Sequence, residues 1–251
     1  MKFDELDKKM RVYETIHDYC FLPDIFIVAR LDGRNFTSLT RKKHPFEAPF
    51  DETFRDYMIE TVKHIMNCGF SFTYGYTQSD EISLLFSQKE TAFARKERKY
   101  NSILAGEASA KFSICLGEPV CFDCRISELP TKETVIDYFR WRNEDASRNA
   151  LNSYCYWTMR KQGKTKNEAT HYFEKMSIAD KNEYLFQNGI NFNNIPLWQK
   201  RGIGFYYESY QTEGHHPILN EIMTKEKRKI KVDFSLPIKE KYASFIEHLI
   251  I

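Results

Sequence analysis

Apolar positions along the chain change period several times, and each change marks an element. Residues 1–19 are rich in charge, with Leu6, Met10, Tyr13 and Ile16 at helical spacing, and predict an amphipathic opening helix on the surface. Pro23-Asp24 breaks the pattern. Residues 25–31, IFIVARL, form a β-branched and aromatic run suited to a buried strand that ends at Asp32-Gly33. Residues 37–50 carry Arg41-Lys42-Lys43-His44, Pro45 and Pro49 without a sustained period, and read as a basic loop. Asp51 then caps a helix whose Phe54, Met58, Ile59, Val62, Ile65 and Met66 lie on one stripe. Asn67 to Gly69 stops it.

The next stretch alternates. Residues 70–76 and 82–86 predict the two strands of a hairpin, turned by Thr77-Gln78-Ser79-Asp80-Glu81. A helix follows over 92–111, with Arg95, Lys96, Arg98 and Lys99 in its first half and the small residues Ala105, Gly106, Ala108, Ser109 and Ala110 in its second. Small side chains there suit close packing against a sheet. Residues 120–127 give a further strand. The order strand, helix, strand, strand, helix, strand is that of ferredoxin-like and polymerase-palm domains, an α+β class with an antiparallel sheet and helices on one face.

Beyond Thr131 helical patterning dominates. Residues 132–142 and 146–161 predict a helical pair and 167–176 another helix, ahead of the segment 179–183; 190–196 is Asn-rich and loop-like, and 202–207 predicts a last strand. The basic run Lys225 to Lys231 reads as a solvated face. On this pattern residues 1–130 are a palm-like catalytic region and 131–251 a mostly helical extension packed on it. No repeat, low-complexity tract or flexible linker marks the boundary.

Composition narrows the function only slightly. The 251 residues hold 37 Lys and Arg against 35 Asp and Glu, a net charge of +2, so a nucleic-acid partner has to be met by local basic patches. Six cysteines accompany no signal-like opening and no apolar run approaching about 18 residues, which points to reduced thiols in a cytoplasmic protein without a membrane partner. Cys121 and Cys124 have zinc-like spacing, but His171, His215 and His216 stand far off and unpatterned, and buried thiols are the expectation.

Candidate chemistry gathers at two acidic points. Neighbouring strands of one sheet bring Asp32, at the end of the first strand, to Asp80-Glu81 at the hairpin turn. Converging carboxylates suit a pair of Mg²⁺ ions about 3.5 to 4 Å apart, which activate an attacking hydroxyl and stabilise a leaving phosphate oxygen. A strand-capping and a turn-forming aspartate fit the same spacing, and the residues alone leave both readings open. Gly33 either lets a ligand approach the backbone or merely ends the strand. On a helix Arg95 and Lys99 share a face, as phosphate ligands or as solvated charge. No Walker-type glycine loop is present.

Five blocks taken together are more specific. ARLDGRNF at 29–36, YTQSDEISLLF at 76–86, the F-x-R-K-x-x-K pattern at 93–99, WRNEDASRNALN at 141–152 and ADKNEYLF at 179–186 occur in the order seen in the tRNA-histidine guanylyltransferase superfamily. The chain resembles that superfamily over residues 5–207. The resemblance implies a palm-like nucleotidyltransferase that extends RNA at its 5′ end, in the 3′-to-5′ direction. It assigns two Mg²⁺ ions to Asp32, the Gly33 carbonyl and Asp80, with Glu81 beside them as a catalytic residue. Asp32, Gly33, Arg34, Asn35, Phe36, Thr37, Ser79 and Asp80 would surround the nucleotide, with Lys99 and Arg95 or Lys96 at its triphosphate. Arg148, Asn149, Lys181 and Asn182 are assigned to triphosphate or RNA. GTP or another NTP and ATP are the implied substrates, tRNA the partner, and a homotetramer the assembly.

Departures from the family pattern refine this. Where the eukaryotic branch has histidine-isoleucine-asparagine-asparagine, this chain has Ser147-Arg148-Asn149-Ala150; Thr37 stands for a usual histidine and Ala48 for a usual lysine. These resemble the bacterial and archaeal like-protein branch, and favour template-dependent repair of 5′-truncated tRNA over an obligatory G addition to tRNA-His. A palm-type nucleotide cyclase and a non-catalytic tRNA-binding module are the competing classes.

Overall fold

The computed structural model describes residues 1–215 and 222–250. The strands are β1 (Phe26–Gly33), β2 (Phe72–Gln78), β3 (Glu81–Phe86), β4 (Phe122–Leu129), β5 (Ile203–His215) and β6 (Ile222–Asp233). The helices are α1 (Phe3–Thr15), α2 (Phe36–Ser38), α3 (Glu52–Ile65), α4 (Glu97–Leu116), α5 (Lys132–Lys161), α6 (Lys166–Phe173), α7 (Ile178–Gln187), α8 (Leu197–Arg201) and α9 (Lys239–Leu249). One antiparallel sheet runs in the order β4-β1-β3-β2-β5-β6. Its first four strands have the palm arrangement expected from the sequence.

Side-chain alternation explains why β1 reads as a continuous apolar run. Ile27, Ala29 and Leu31 face α3 and α4, in a core with Met58, Val62, Leu104 and Phe112. Phe26 and Val28 face the opposite way, onto Val135 and Phe139 of α5 and Tyr242 and Ile246 of α9. A strand covered on both faces has no solvent side on which to place polar residues. Thus α3 and α4 share one face, as the palm pattern predicts, and the C-terminal helices close the other.

Three local expectations are corrected. The helical pair 132–142 and 146–161 is one 30-residue helix, α5, capped by Thr131; the intervening Asn143-Glu144-Asp145 are tolerated because they turn to partners in the fold. The basic run 225–231 lies within β6, an edge strand paired along its length with β5, so a long hairpin interrupts the helical C-terminal region. The helix expected over 92–111 starts only at Glu97, because Phe93, Ala94 and Arg95 take left-handed backbone conformations. Asp51, by contrast, caps α3 as expected, accepting from the Phe54 amide at 2.9 Å.

Candidate active site

The turn between β2 and β3 is two residues long, Ser79 and Asp80, with Ser79 in the left-handed region that such tight turns require. Thr77 closes it by donating its hydroxyl to the Glu81 carbonyl at 2.7 Å. Across the sheet Asp32 pairs with Glu81, and the Gly33 amide donates to the Asp80 carbonyl at 3.1 Å. The three expected acidic residues are therefore at one end of the sheet. Gly33 is required for packing: a Cβ there would stand 2.5 Å from the Phe36 ring. Phe36 itself is buried in the aromatic core, so its side chain forms the floor under this end.

The carboxylates differ in their partners. Glu81 is bound by Arg30 and, at 3.2 Å, by Arg142. Asp32 and Asp80 are in no ion pair among the described residues, and Asp80 accepts from the Ser79 hydroxyl at 3.1 Å. Burial, with the Asp32 charge nearby, pushes the Asp80 carboxyl up to about 6. Burial and the charges of Glu81 and Asp123 raise Asp32. Two carboxylates held together without a cation are ready to receive one.

The donor set fits a hard divalent ion. Among the described residues no three His, Cys, Asp or Glu side chains gather closely enough to hold a metal by themselves. Two carboxylates and the Gly33 carbonyl leave the remaining positions to substrate phosphate and water, the usual coordination of Mg²⁺.

Beside Asp80 opens a cleft of about 400 Å³ lined by Thr37, Arg41, Asp51, Ser79, Asp80 and Trp198. The basic loop forms its rim in a wide helical turn, the His44 amide donating to the Leu39 carbonyl. Arg41 lies over the rings of Tyr156 and Trp157, and Arg55 over Trp198. The cleft thus offers flat aromatic and guanidinium surfaces next to the carboxylates. Arg34 and Asn35 are exposed at the same end, Asn35 in the left-handed conformation from which α2 begins.

A second cleft, of about 540 Å³, collects Arg148, Asn149, Lys181 and Asn182, all expected from the sequence, with Asn152 and Phe192. Lys181 donates to Asn152 at 2.9 Å. A chain of polar contacts runs from the acidic end to the second cleft: Glu81 to Arg142, Arg142 to Asp145 at 3.5 Å, and Asp145 to Arg148 at 2.6 Å and Asn149 at 3.2 Å.

Similarity to known proteins decides the family. The tRNAHis guanylyltransferase family profile matches residues 7–130, and the profile of its C terminal domain matches 133–247. The chain belongs to the tRNAHis guanylyltransferase family. The tRNA(His) guanylyltransferase of Neurospora crassa is 30% identical over 251 residues, covering 91% of this chain and 85% of the relative. A probable tRNA(His) guanylyltransferase of Drosophila melanogaster is 32% identical over 195 residues, covering 74% and 68%. The structure of a bacterial tRNA(His) guanylyltransferase-like protein in complex with ATP superposes with a TM-score of 0.75 at 25% identity, covering 98% of this chain and 99% of that one. The Saccharomyces cerevisiae enzyme gives 0.71 at 26% identity, over 77% and 90%.

Within a single chain of this guanylyltransferase-family fold, the block 93–99 does not join the carboxylates. Arg95 is buried near the start of β1, donating to the carbonyls of Leu22 at 2.7 Å, Glu90 at 3.0 Å and Phe21 at 3.2 Å. The strand from Ile25 to Asp32 separates it from the acidic end by about 23 Å. Lys96 pairs with Asp18 at 2.5 Å, and Lys99 lies over the Phe93 ring at 6.0 Å. The expected shared face of Arg95 and Lys99 is lost because the left-handed turn takes Arg95 out of the helix.

The clamp on Glu81 was not anticipated. Arg30 was legible, since it lies two residues before Asp32 and strand alternation puts both on one face. Arg142, from a helix far along the chain, had no such signal. The expected burial of the two closely spaced thiols is only partly met: Cys121 is exposed just ahead of β4, and Cys124 is half-buried, with burial pushing its thiol up to about 12.

Proposed function

We propose that this protein is a nucleotidyltransferase that adds nucleotides to the 5′ end of tRNA in the 3′-to-5′ direction, repairing 5′-truncated tRNAs against the opposite strand of the acceptor stem. The observation that carries it is the pair Asp32 and Asp80, half-buried and in no ion pair among the described residues, at a palm-type sheet end beside the aromatic cleft. Family membership along both halves of the chain supports it, as do the related structures in complex with ATP and with GTP.

Asp32, Asp80 and the Gly33 carbonyl are the groups that would hold Mg²⁺, which when bound supplies acidification of the incoming nucleotide's 3′-hydroxyl and neutralises charge on the triphosphate. The chain's own residues do the positioning. Thr37, Arg41 and Trp198 enclose the base and sugar, and the clamped Glu81 keeps Asp32 at its register. At a 5′-monophosphate end, ATP first gives an adenylylated end with loss of pyrophosphate. The 3′-hydroxyl then attacks that 5′ phosphate, its proton passes to solvent, and AMP departs. At a 5′-triphosphate end pyrophosphate departs directly. Arg148, Asn149, Lys181 and Asn182 receive the RNA end in the second cleft. Lys96 and Lys99 reach a triphosphate across a subunit boundary of a homotetramer, since within one chain they lie at the far end of the sheet.

The reading is tested by supplying tRNA-His and truncated non-His tRNAs, with G and non-G template positions, and sequencing the 5′ ends. Complement-directed addition to the non-His substrates is expected. Addition of G alone whatever the template contradicts the repair reading, and a cyclic nucleotide formed without RNA contradicts the transferase reading.

A further inference from the structure

Helix α1 contributes no residue to its own chain's interior. Its apolar side chains recur at spacings of three, four and three: Phe3, Leu6, Met10 and Tyr13, which are 77%, 44%, 51% and 70% exposed. That is the a and d pattern of two coiled-coil heptads, left bare. The helix is not a loose end, because the segment behind it is stitched to the body. Asp18 is held by Lys96 and Arg98, the Glu97 amide donates to the Tyr19 carbonyl at 2.9 Å, and Cys20 bridges to Lys96.

The flanking charges say what covers the seam. With Phe3 at a, the g positions are Lys2 and Lys9 and the e positions are Asp7 and Glu14. In a parallel pair of helices each g residue meets the e residue five places on in the other helix. Lys2 then faces Asp7 of a second copy and Lys9 faces Glu14, with both pairs repeated by the twofold axis. An antiparallel pair instead sets e against e and g against g, which here is acid against acid and base against base. Asp7 also binds Arg11 of its own helix at 2.7 Å, leaving its other oxygen for the second copy.

We infer that α1 is a self-association helix, which pairs in parallel and in register with α1 of a second copy of this chain through the Phe3, Leu6, Met10 and Tyr13 seam. Two heptads are short for an isolated coiled coil, so the seam acts together with the surfaces that the twofold axis brings alongside it. This inference does not rest on the catalytic reading, and its tests read mass and cross-linking instead of activity.

Sedimentation of the full chain should show dimers or a multiple of them, and Leu6→Glu with Met10→Glu should raise the dissociation constant about a hundredfold or more. The thermal unfolding of the separated chains should be unchanged by that pair of substitutions, since neither side chain is packed at home. Reversing Lys2→Glu and Lys9→Glu should weaken association, and adding Asp7→Lys and Glu14→Lys should restore it. Under mild oxidation Leu6→Cys should cross-link position 6 to position 6, identified by peptide mass, as only an in-register parallel pair allows. A monomeric parent, an unchanged dissociation constant in the glutamate variant, or cross-links from position 6 only to other cysteines would each overturn the inference.

Discussion

The two ends of the central sheet hold charge in opposite conditions. Where β1 begins, Arg95 is buried but satisfied by backbone carbonyls, Glu90 is buried but accepts from the Ser71 and Ala92 amides, and Asp18 sits between Lys96 and Arg98, which hold its carboxyl down at about 2. Where β1 ends, Asp32 and Asp80 are in no ion pair among the described residues and their carboxyls are raised. Matched charge holds a fold together; unmatched charge, kept in place by the rest of the fold, is held for a ligand. Glu81 lies between these conditions, matched by Arg30 and Arg142 although it belongs to the acidic end.

The contrast breaks most sharply under substitution. Asp80→Ala should reduce 5′ extension by about a thousandfold or more, a size typical of losing a group that directly stabilises transferring charge, without unfolding the protein. Arg95→Leu should do the reverse. It removes the donor to four backbone carbonyls at the matched end and should cost about 2 to 4 kcal/mol of stability in denaturant titration. Its response to Mg²⁺ in thermal shift should match the parent's. Loss of Mg²⁺ response in the arginine variant with its fold intact would erase the distinction between the two ends.

Replacing Arg142 tests the intermediate case. Arg142→Met leaves Glu81 with Arg30 alone, and extension should fall about 10- to 100-fold, as when a group that orients a ligand is removed. Lysine should recover part of the loss. An unchanged rate would show the clamp to be structural only.

Smaller effects follow the titration of Asp80. Its carboxyl is raised in the fold, so the folded state favours the protonated form. The penalty is absent below the unfolded value near 3.9, grows as pH rises toward about 6, and is full above it. Asp80→Asn should therefore stabilise the protein by about 1 kcal/mol at pH 8, after allowance for solvent at the turn, and by almost nothing at pH 4. Thermal melts at the two pH values check this; equal shifts at both would put the cause elsewhere than in the charge.

Much of this was legible in the chain. The continuous run of β1, the Asp51 cap and the 79–80 turn are local signals, and local signals placed the acidic end correctly. The unbroken apolar run of β1 read as a buried strand in a sheet with helices on one face, and what covers its second face, α5 and α9, was not read. The failures are tertiary. Arg95 reads as a helix-face cation because three left-handed residues in a row, Phe93 to Arg95, have no sequence signature without glycine. Residues 143–145 read as a helix break because their polar side chains look like a loop, yet Asn143 donates to the Arg201 carbonyl at 2.8 Å and Asp145 receives Arg142, Arg148 and Asn149. The 225–231 run is a solvated face, as read, but its β pairing was missed, because the exposed lysine row of an edge strand hides it.

The most direct test of the acidic end as the working site is 5′ extension of a truncated tRNA by four purified proteins, the parent, Asp32→Ala, Asp80→Ala and Arg95→Leu, each assayed below its own melting temperature with Mg²⁺ and nucleoside triphosphates. The account predicts templated addition by the parent and the arginine variant and none by either aspartate variant. Extension by an aspartate variant at the parent's rate, or no extension by the parent on any tRNA, would contradict it.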